Sequence, residues 1–335
     1  MQPVSDTEIL KKYNKFVILI SSPDGDSIGS SIVLKQYLED QGKIADIYSG
    51  KKINKRYSFL PNTEQVNATD TTKINYFEYE VIIAMDAGNL SQLYDMDKHP
   101  NFIFPENIEM LAIDHHESNP MYAKYNIYDK EASSTSEIIY TQILQGYKLT
   151  DSQAQLLFFG IVSDTGFFRW STSSKTLKAA SELATYNIEY DKLSSIYTSD
   201  INEKDADVFQ ELIKRTKYHK RPRFVYLYVS KRIMAKLKIR EDELQNYINI
   251  YRSHFQISLS DYPIYLIITE KKDFYIISMR GNSYTNTANF AKFAGHSDFN
   301  GGGHKNAASY SSRKKIKDIV KDISLLIKQF QDTTK

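Results

Sequence analysis

The sequence predicts an α/β protein, with a parallel-sheet domain in the first half followed by a smaller α+β domain. Three observations predict it. Short apolar runs at residues 16–20, 81–84 and 110–113 are separated by stretches with helix-like spacing, the pattern of strands joined by crossover connections. Each run leads into an acidic stretch: Pro23-Asp24-Gly25-Asp26, Met85-Asp86-Ala87-Gly88 and Ile113-Asp114-His115-His116. Beyond about residue 222 the pattern changes, and runs near 224–229, 263–269 and 274–279 read as strands of a different kind of domain.

Taken in order, the first strand (16–20) is followed by a helix over 27–40, with Ile28, Ile32, Val33, Gln36 and Tyr37 at near-helical spacing. Gly42 ends that helix, and 44–48 reads as the next strand. Strands near 81–85 and 109–113 come next, then helices over about 134–144 and 151–162. The second of these runs into a fourth acidic stretch, Ser163-Asp164-Thr165-Gly166. A helix over 174–186 leads to a polar, helical stretch that ends at Arg221-Pro222-Arg223. The expected division is a first domain over 1–190, a helical connector over 191–221 and a second domain over 222–335. An amphipathic helix over 314–330 closes the chain.

Composition narrows the chemistry. The chain has no cysteine, which excludes disulfides and thiolate metal ligands. A formal charge of +2 over 335 residues requires no large polyanionic partner, while a small anionic substrate remains compatible. Residues 1–9 are polar and carry acids, unlike a secretory leader, and no apolar run approaches the roughly 18 residues of a membrane span. A cytoplasmic, soluble protein is expected, without a membrane partner. The 25 tyrosines fit a compositional bias and do not by themselves mark a nucleic-acid surface.

Acids just past the carboxyl ends of successive parallel strands converge on one crevice, where open α/β sheets bind ligands. Singly, each stretch has an ordinary reading: Asp24, Asp26 and Asp164 fit helix ends, and Asp86 fits a strand end. Together, Asp24, Asp26, Asp86, Asp114 and Asp164 with His115 and His116 would repel one another unless cations neutralised them. Hard carboxylates with imidazole and no sulfur favour Mn²⁺ or Mg²⁺ over a structural zinc site. Two such ions suit hydrolysis of a phosphate ester. Near the C-terminus, Gly301, Gly302, Gly303 and His304 offer backbone amides that an anion can approach, and Arg280 ends a strand in the same domain. A glycine-rich turn and an exposed strand-end arginine are the ordinary alternatives.

The combination PDGDSIGS, IDHHESN, SDTGFFR and GGGHKNAAS resembles the DHH phosphoesterases that carry a DHH-associated C-terminal domain, in particular their nanoRNase/pAp phosphatase branch. The resemblance implies a DHH catalytic domain, a DHH-associated substrate-binding domain and an active site in the cleft between them. It implies two Mn²⁺ ions, with Mg²⁺ as a substitute. One would be held by Asp24 and Asp86, the other by Asp26, Asp86, His115 and Asp164. Asp114 and His116 would orient the site or assist proton transfer, and Arg280, His304 and the glycine amides would grip phosphate. The implied partners are short RNA or DNA oligonucleotides, pAp or linear dinucleotides such as pApA, and a homodimer is compatible. Two positions depart from the family pattern: Ile20 stands where a metal-binding histidine is usual, and Ser309 where a glycine usually closes the GGGH segment. The alternatives are therefore a cyclic dinucleotide (c-di-AMP) phosphodiesterase and a nucleotide-binding protein with impaired catalysis.

Overall fold

The strands at 15–20 and 81–85 are apolar on both sides because both of their faces are covered. In the computed structural model the residues described are 6–96, 98–195, 203–240, 243–244, 247–248, 251, 262, 264–281, 302–304 and 307–332. The chain divides into two compact units, Met1–Ile196 and Tyr197–Lys335.

The first unit holds β1 (Lys15–Ile20), β2 (Ile44–Ser49), β3 (Val66–Ala68), β4 (Val81–Met85), β5 (Glu109–Asp114) and β6 (Tyr125–Tyr128). They form one parallel sheet in the order β3-β2-β1-β4-β5-β6. Its helices are α1 (Glu8–Lys12), α2 (Gly25–Glu39), α3 (Thr135–Ile138), α4 (Asp151–Asp164), α5 (Ser174–Leu183) and α6 (Tyr190–Ser195), with a wide turn at Ile139–Ile143 extending α3. Phe16, Ile18 and Ile20 of β1 join a core with residues of α2 and α4, whereas Val17 and Leu19 join a second core with Tyr76, Leu93 and Phe104. The second face is covered by loops and short 3₁₀ turns rather than α-helices. Its rings meet edge-on, as in Phe102 and Phe104 with centroids 4.9 Å apart. Strands buried on both faces lose the alternating pattern, which is why β1 and β4 stand out in the sequence as unbroken apolar runs. The short, half-polar β3 and β6 carry no such signal and were not expected.

β1 pairs with β2 on one side and β4 on the other. The order of connection therefore reverses between β1 and β4, and the crevice at their carboxyl ends is the switch point of the sheet. Gly29 lets two helices of this region pack closely. A Cβ there would come within 2.4 Å of the Leu156 carbonyl, so its bareness lets α2 lie against α4.

The second unit carries a mixed sheet in the order β11-β12-β10-β9-β8-β7. The strands are β7 (Thr216–Lys220), β8 (Arg223–Val229), β9 (Ile264–Glu270), β10 (Tyr275–Gly281), β11 (Gly302–His304) and β12 (Ala307–Ser312). Among the described residues only the β8–β9 pairing is parallel. One face packs Phe224, Leu266 and Ile268 against Ile319 and Ile323 of α9 (Ile316–Asp332). The other packs Leu227, Val229 and Ile267 against Val208, Phe209 and Leu212 of α7 (Glu203–Arg215), with Met234 of α8 (Lys231–Lys236). The expected helical connector is thus shared between the units. Leu193 of α6 joins the core of the first, the apolar stripe of α7 joins the second, and Thr216–Lys220 is a strand paired with β8. Pro263, expected to open a strand, lies outside the described residues. Among the described residues no helix is long and apolar enough to cross a membrane.

Candidate metal centre

Asp24 and Asp26 follow β1 at the start of α2 but are held differently. Asp24 caps α2: its Oδ1 accepts the Ser27 amide at 3.0 Å, and its own amide donates to Ser27 Oγ at 3.0 Å. The ordinary capping role is therefore real, and it coexists with a place among the clustered charges. Asp26 is fully buried, and its two oxygens accept the amides of Thr135 and Ser136 at 2.7 Å each. Those amides belong to the buried first turn of α3, where helix N–H groups lack partners within the helix and suit an anion.

Asp86 ends β4 with φ of +53°, a left-handed conformation that costs most residues about 1–2 kcal/mol and that Asp tolerates better than others. Its amide still donates to the Ile113 carbonyl at 2.9 Å, so the ladder with β5 is kept while the side chain turns out of the strand. Thr135 Oγ1 donates to Asp86 Oδ1 at 3.1 Å. One threonine thus fixes two carboxylates, Asp26 through its amide and Asp86 through its hydroxyl.

His115, just past β5, brings the cluster to a focus. Its Nε2 lies 3.2 Å from Asp164 Oδ2, 3.6 Å from Asp86 Oδ1 and 4.0 Å from Asp26 Oδ2, while Nδ1 faces the Ala132 carbonyl at 3.4 Å. Asp164 is delivered by the last turn of α4, which lies close to the α3 N-terminus because Gly160 has no side chain. A Cβ there would come within 2.0 Å of Ser136 Oγ and 2.9 Å of Asp26 Oδ1. The carboxylate brace of Asp114 falls on His116: Asp114 Oδ1 is 2.7 Å from its Nδ1, and Oδ2 accepts Asn119 Nδ2 at 2.7 Å.

The electrostatics follow from this crowding. Burial, then the charge of Asp164, pushes Asp26 up to about 6. Burial, then Asp26 and Asp24, pushes Asp86 well above the usual carboxylate range. Asp24 is also raised, chiefly by burial, with the Ser27 amide opposing. Burial works against the charge on His115, but Asp164, Asp86 and Asp26 prevail and push it up to about 10. For Asp114 burial is likewise outweighed, here by His116, His115 and Asn119, and its carboxyl is held below the usual range. Three carboxylates around one imidazole therefore take up protons when no other cation is near.

A divalent cation would answer the same need, and the donor set fits one. Ligand atoms of Asp86, His115 and His116 lie within 4.8 Å of one another, as do those of Asp26, His115 and Asp164. Oxygen and imidazole donors without sulfur suit Mn²⁺ or Mg²⁺. Ile20, where the resemblance leads one to expect a histidine, is fully buried within the apolar core and offers no ligand.

The other expected site residues belong to the second unit. Arg280 lies in β10 and donates from Nη1 to the Met279 carbonyl at 2.9 Å. Gly302, Gly303 and His304 form β11, and Gly301 lies outside the described residues. Ala307 of β12 pairs with Arg280 on one side and with His304 on the other, so the register puts all three in one row.

Sequence reasoning missed the residues that hold the acids in place. Glu137 Oε2 accepts the Ser133 amide at 2.9 Å, Ser133 Oγ at 2.6 Å and Thr176 Oγ1 at 2.9 Å, which pins the segment leading into α3. The polar run Ser133-Ser134-Thr135-Ser136 reads as an ordinary helix cap, and Ser134 does cap α3. Its contacts with Asp26 and Asp86 cross 109 and 49 residues of sequence respectively and leave no local signal.

Comparison with known proteins finds relatives in sequence and in fold. The model of the DHH family, N-terminal domain, matches residues 15–161. The bifunctional oligoribonuclease and PAP phosphatase NrnA of Bacillus subtilis is 30% identical over 203 residues, 59% of this chain and 59% of that protein. The protein of the same name from Thermus thermophilus is 28% identical over 191 residues, 56% of this chain and 55% of that one. The match thus spans under two thirds of the length of these relatives. A crystal structure of an exopolyphosphatase-related protein from Bacteroides fragilis superposes with a TM-score of 0.80 at 22% identity, covering 98% of this chain and 95% of that one, a likeness of fold. Residues 15–161, which carry Asp26, Asp86 and His115 at the switch point of a parallel sheet, are thus similar to the DHH family, N-terminal domain.

Proposed function

We propose that this chain is a Mn²⁺-dependent phosphodiesterase that hydrolyses short oligonucleotides, including linear dinucleotides such as pApA, to mononucleotides, and that it also removes the 3′-phosphate of pAp. The observation that carries this reading is the convergence of Asp26, Asp86 and Asp164 on one buried imidazole nitrogen. Asp24 and Asp86 are assigned to one ion, and Asp26, Asp86, His115 and Asp164 to the other. When bound, such ions supply Lewis acidity toward a phosphoryl oxygen and make water a better nucleophile. The chain's own part is to hold four acids in place and to manage a proton. Asp114 fixes the His116 ring through its Nδ1, 2.7 Å from Oδ1, and His116 is assigned to orienting the site or assisting proton transfer. Arg280 and the 301–304 segment are assigned to the terminal phosphate of the substrate, which suits products of a few nucleotides.

The buried, apolar Ile20 favours a second reading, in which the protein binds nucleotides and hydrolyses them poorly. One experiment separates the two. A product time course on 5′-labelled di- to pentanucleotides, pAp and c-di-AMP, with Mn²⁺, Mg²⁺ or a chelator, is expected to show mononucleotide release from linear dinucleotides with Mn²⁺ and none with the chelator. Preference for c-di-AMP would move the assignment to cyclic substrates. Binding with no turnover under any divalent ion would overturn the phosphodiesterase reading.

A further inference from the structure

The turn that follows Asp164 is tightly built and strained. Gly166, Phe167 and Phe168 adopt φ of +54°, +60° and +59° in succession, and Ser171 follows at +49°. Two phenylalanines in that region are uncommon, and such strain persists only where surrounding bonds over-determine it. Here they do. The Phe167 amide donates to the Val162 carbonyl at 2.9 Å, Phe168 to Thr165 Oγ1 at 3.0 Å, and Arg169 and Trp170 to the Thr165 carbonyl at 2.9 and 3.2 Å.

What this turn presents is the chain's one tryptophan. Trp170 lies flat against Gly166, where a Cβ would come within 2.1 Å of its ring, and its Nε1 donates to the Asp164 carbonyl at 2.8 Å. Its indole nevertheless stays 40% exposed. The guanidinium carbon of Arg169 sits 5.2 Å from the ring centroid, and its Nε donates to the Gly166 carbonyl at 2.6 Å. The ring is therefore immobilised at its polar edge, paired with a cation and still open to solvent. It is tied to the main chain of the residue whose carboxylate lies 3.2 Å from His115.

We infer that Trp170, with Arg169 beside it, is a stacking platform for a nucleobase of the substrate. This rests on the phosphodiesterase reading only for the identity of the ligand. A nucleotide whose phosphate reaches the acidic cluster has its base one sugar away, and a fixed indole offers a π-face that accepts any base. Rigid aromatic anchors bind at low entropic cost because little freedom is left to lose. The platform thus selects for nucleotides over other phosphate esters without reading sequence.

Because Trp170 is the sole tryptophan, its emission reports on the platform directly. In Mg²⁺ buffer, with excitation at the red edge of the indole band, adenosine 5′-monophosphate is expected to quench it saturably, and ribose 5-phosphate is not. With a 5′-phosphorylated dinucleotide as substrate, Trp170→Ala is expected to raise KM about 5- to 100-fold, with most of the loss in KM rather than kcat, and Trp170→Phe to restore most of it. Circular dichroism and melting curves establish that the variants are folded. No response to adenosine 5′-monophosphate, or an unchanged KM in folded Trp170→Ala, would overturn the platform. If the wild type cleaves no dinucleotide, the phosphodiesterase reading fails while the emission titration still decides whether a base stacks.

Discussion

In the parallel sheet of the first unit, β1 and β4 are buried on both faces, and the candidate chemistry begins only where strands stop: after Ile20, after Met85, and at Asp114. In the mixed sheet of the second unit the candidate residues lie inside strands, Arg280 in β10 and His304 in β11, in one row across Ala307. The first arrangement uses the sheet as scaffold and leaves each acid to be set by its own anchors. In the second, pairing register alone fixes placement, and a slip of one residue would turn each side chain to the other face. A site of the first kind tolerates change within strands but depends on hydrogen bonds made far along the chain. A site of the second kind depends on the ladder.

The largest effect expected from this contrast is at Asp86, the acid shared by both proposed ion positions. Asp86→Asn keeps a residue type that accepts positive φ, so the turn after β4 survives while the charge is lost. Activity on a linear dinucleotide is expected to fall by about a thousandfold or more, and Mn²⁺ binding by calorimetry to be severely weakened. Near-normal metal binding in a folded Asp86→Asn protein would remove the centre from the first unit.

Arg280→Ala probes the second sheet and should behave differently. Losing a charge-assisted contact to phosphate is expected to raise KM about 10- to 100-fold while Mn²⁺ binding stays as in the wild type. If instead metal binding weakened and KM held, the division of labour between the sheets would be wrong. Thr135→Val tests the anchors. It keeps shape and the amide held by Asp26 but removes the hydroxyl held by Asp86. Metal affinity is expected to drop about 10-fold, with Thr135→Ser restoring it, and with less effect on KM than Arg280→Ala. An unchanged affinity would show that Asp86 needs no outside support.

The same contrast explains what was legible in the sequence. β1 and β4 announce themselves because both faces are covered, and an acid directly after an unbroken apolar run is a local pattern. The connection of Thr135 to Asp26 and Asp86 is not local: it appears only once α3 stands over the carboxyl ends of β1 and β4. The packing of Gly29 against the Leu156 carbonyl is equally hidden, because spacing alone does not say whether a bare position faces a strand or another helix. In the second unit, β7 is a five-residue stretch of mixed polarity with mostly exposed positions, and only its pairing with β8 makes it a strand. Trp170 gave no signal in sequence because its environment depends on a left-handed turn that composition does not encode.

The smallest effect expected is on stability against pH, and it bears on whether the first unit's acids are arranged for a cation. Asp26 is pushed up to about 6 and His115 up to about 10, so the folded, metal-free protein binds protons at both that the unfolded chain releases earlier. For Asp26 that proton-linked stabilisation fades as pH rises through the interval between the ordinary carboxylate value and about 6. For His115 it is fully present below the ordinary imidazole value and is lost as pH climbs through about 10. Asp114, held below the usual range, contributes only in more acid solution. The metal-free melting temperature is therefore expected to fall by a few degrees between about pH 5 and 8, while the gain on adding Mn²⁺ grows over the same interval as fewer protons compete for the ligands. Scanning fluorimetry with chelator and with Mn²⁺ measures both. A metal-free melting temperature that rises with pH, or a Mn²⁺ gain that shrinks, would mean that the acids do not crowd one another. The row of Arg280, Ala307 and His304 would then be the better place to look for the chemistry.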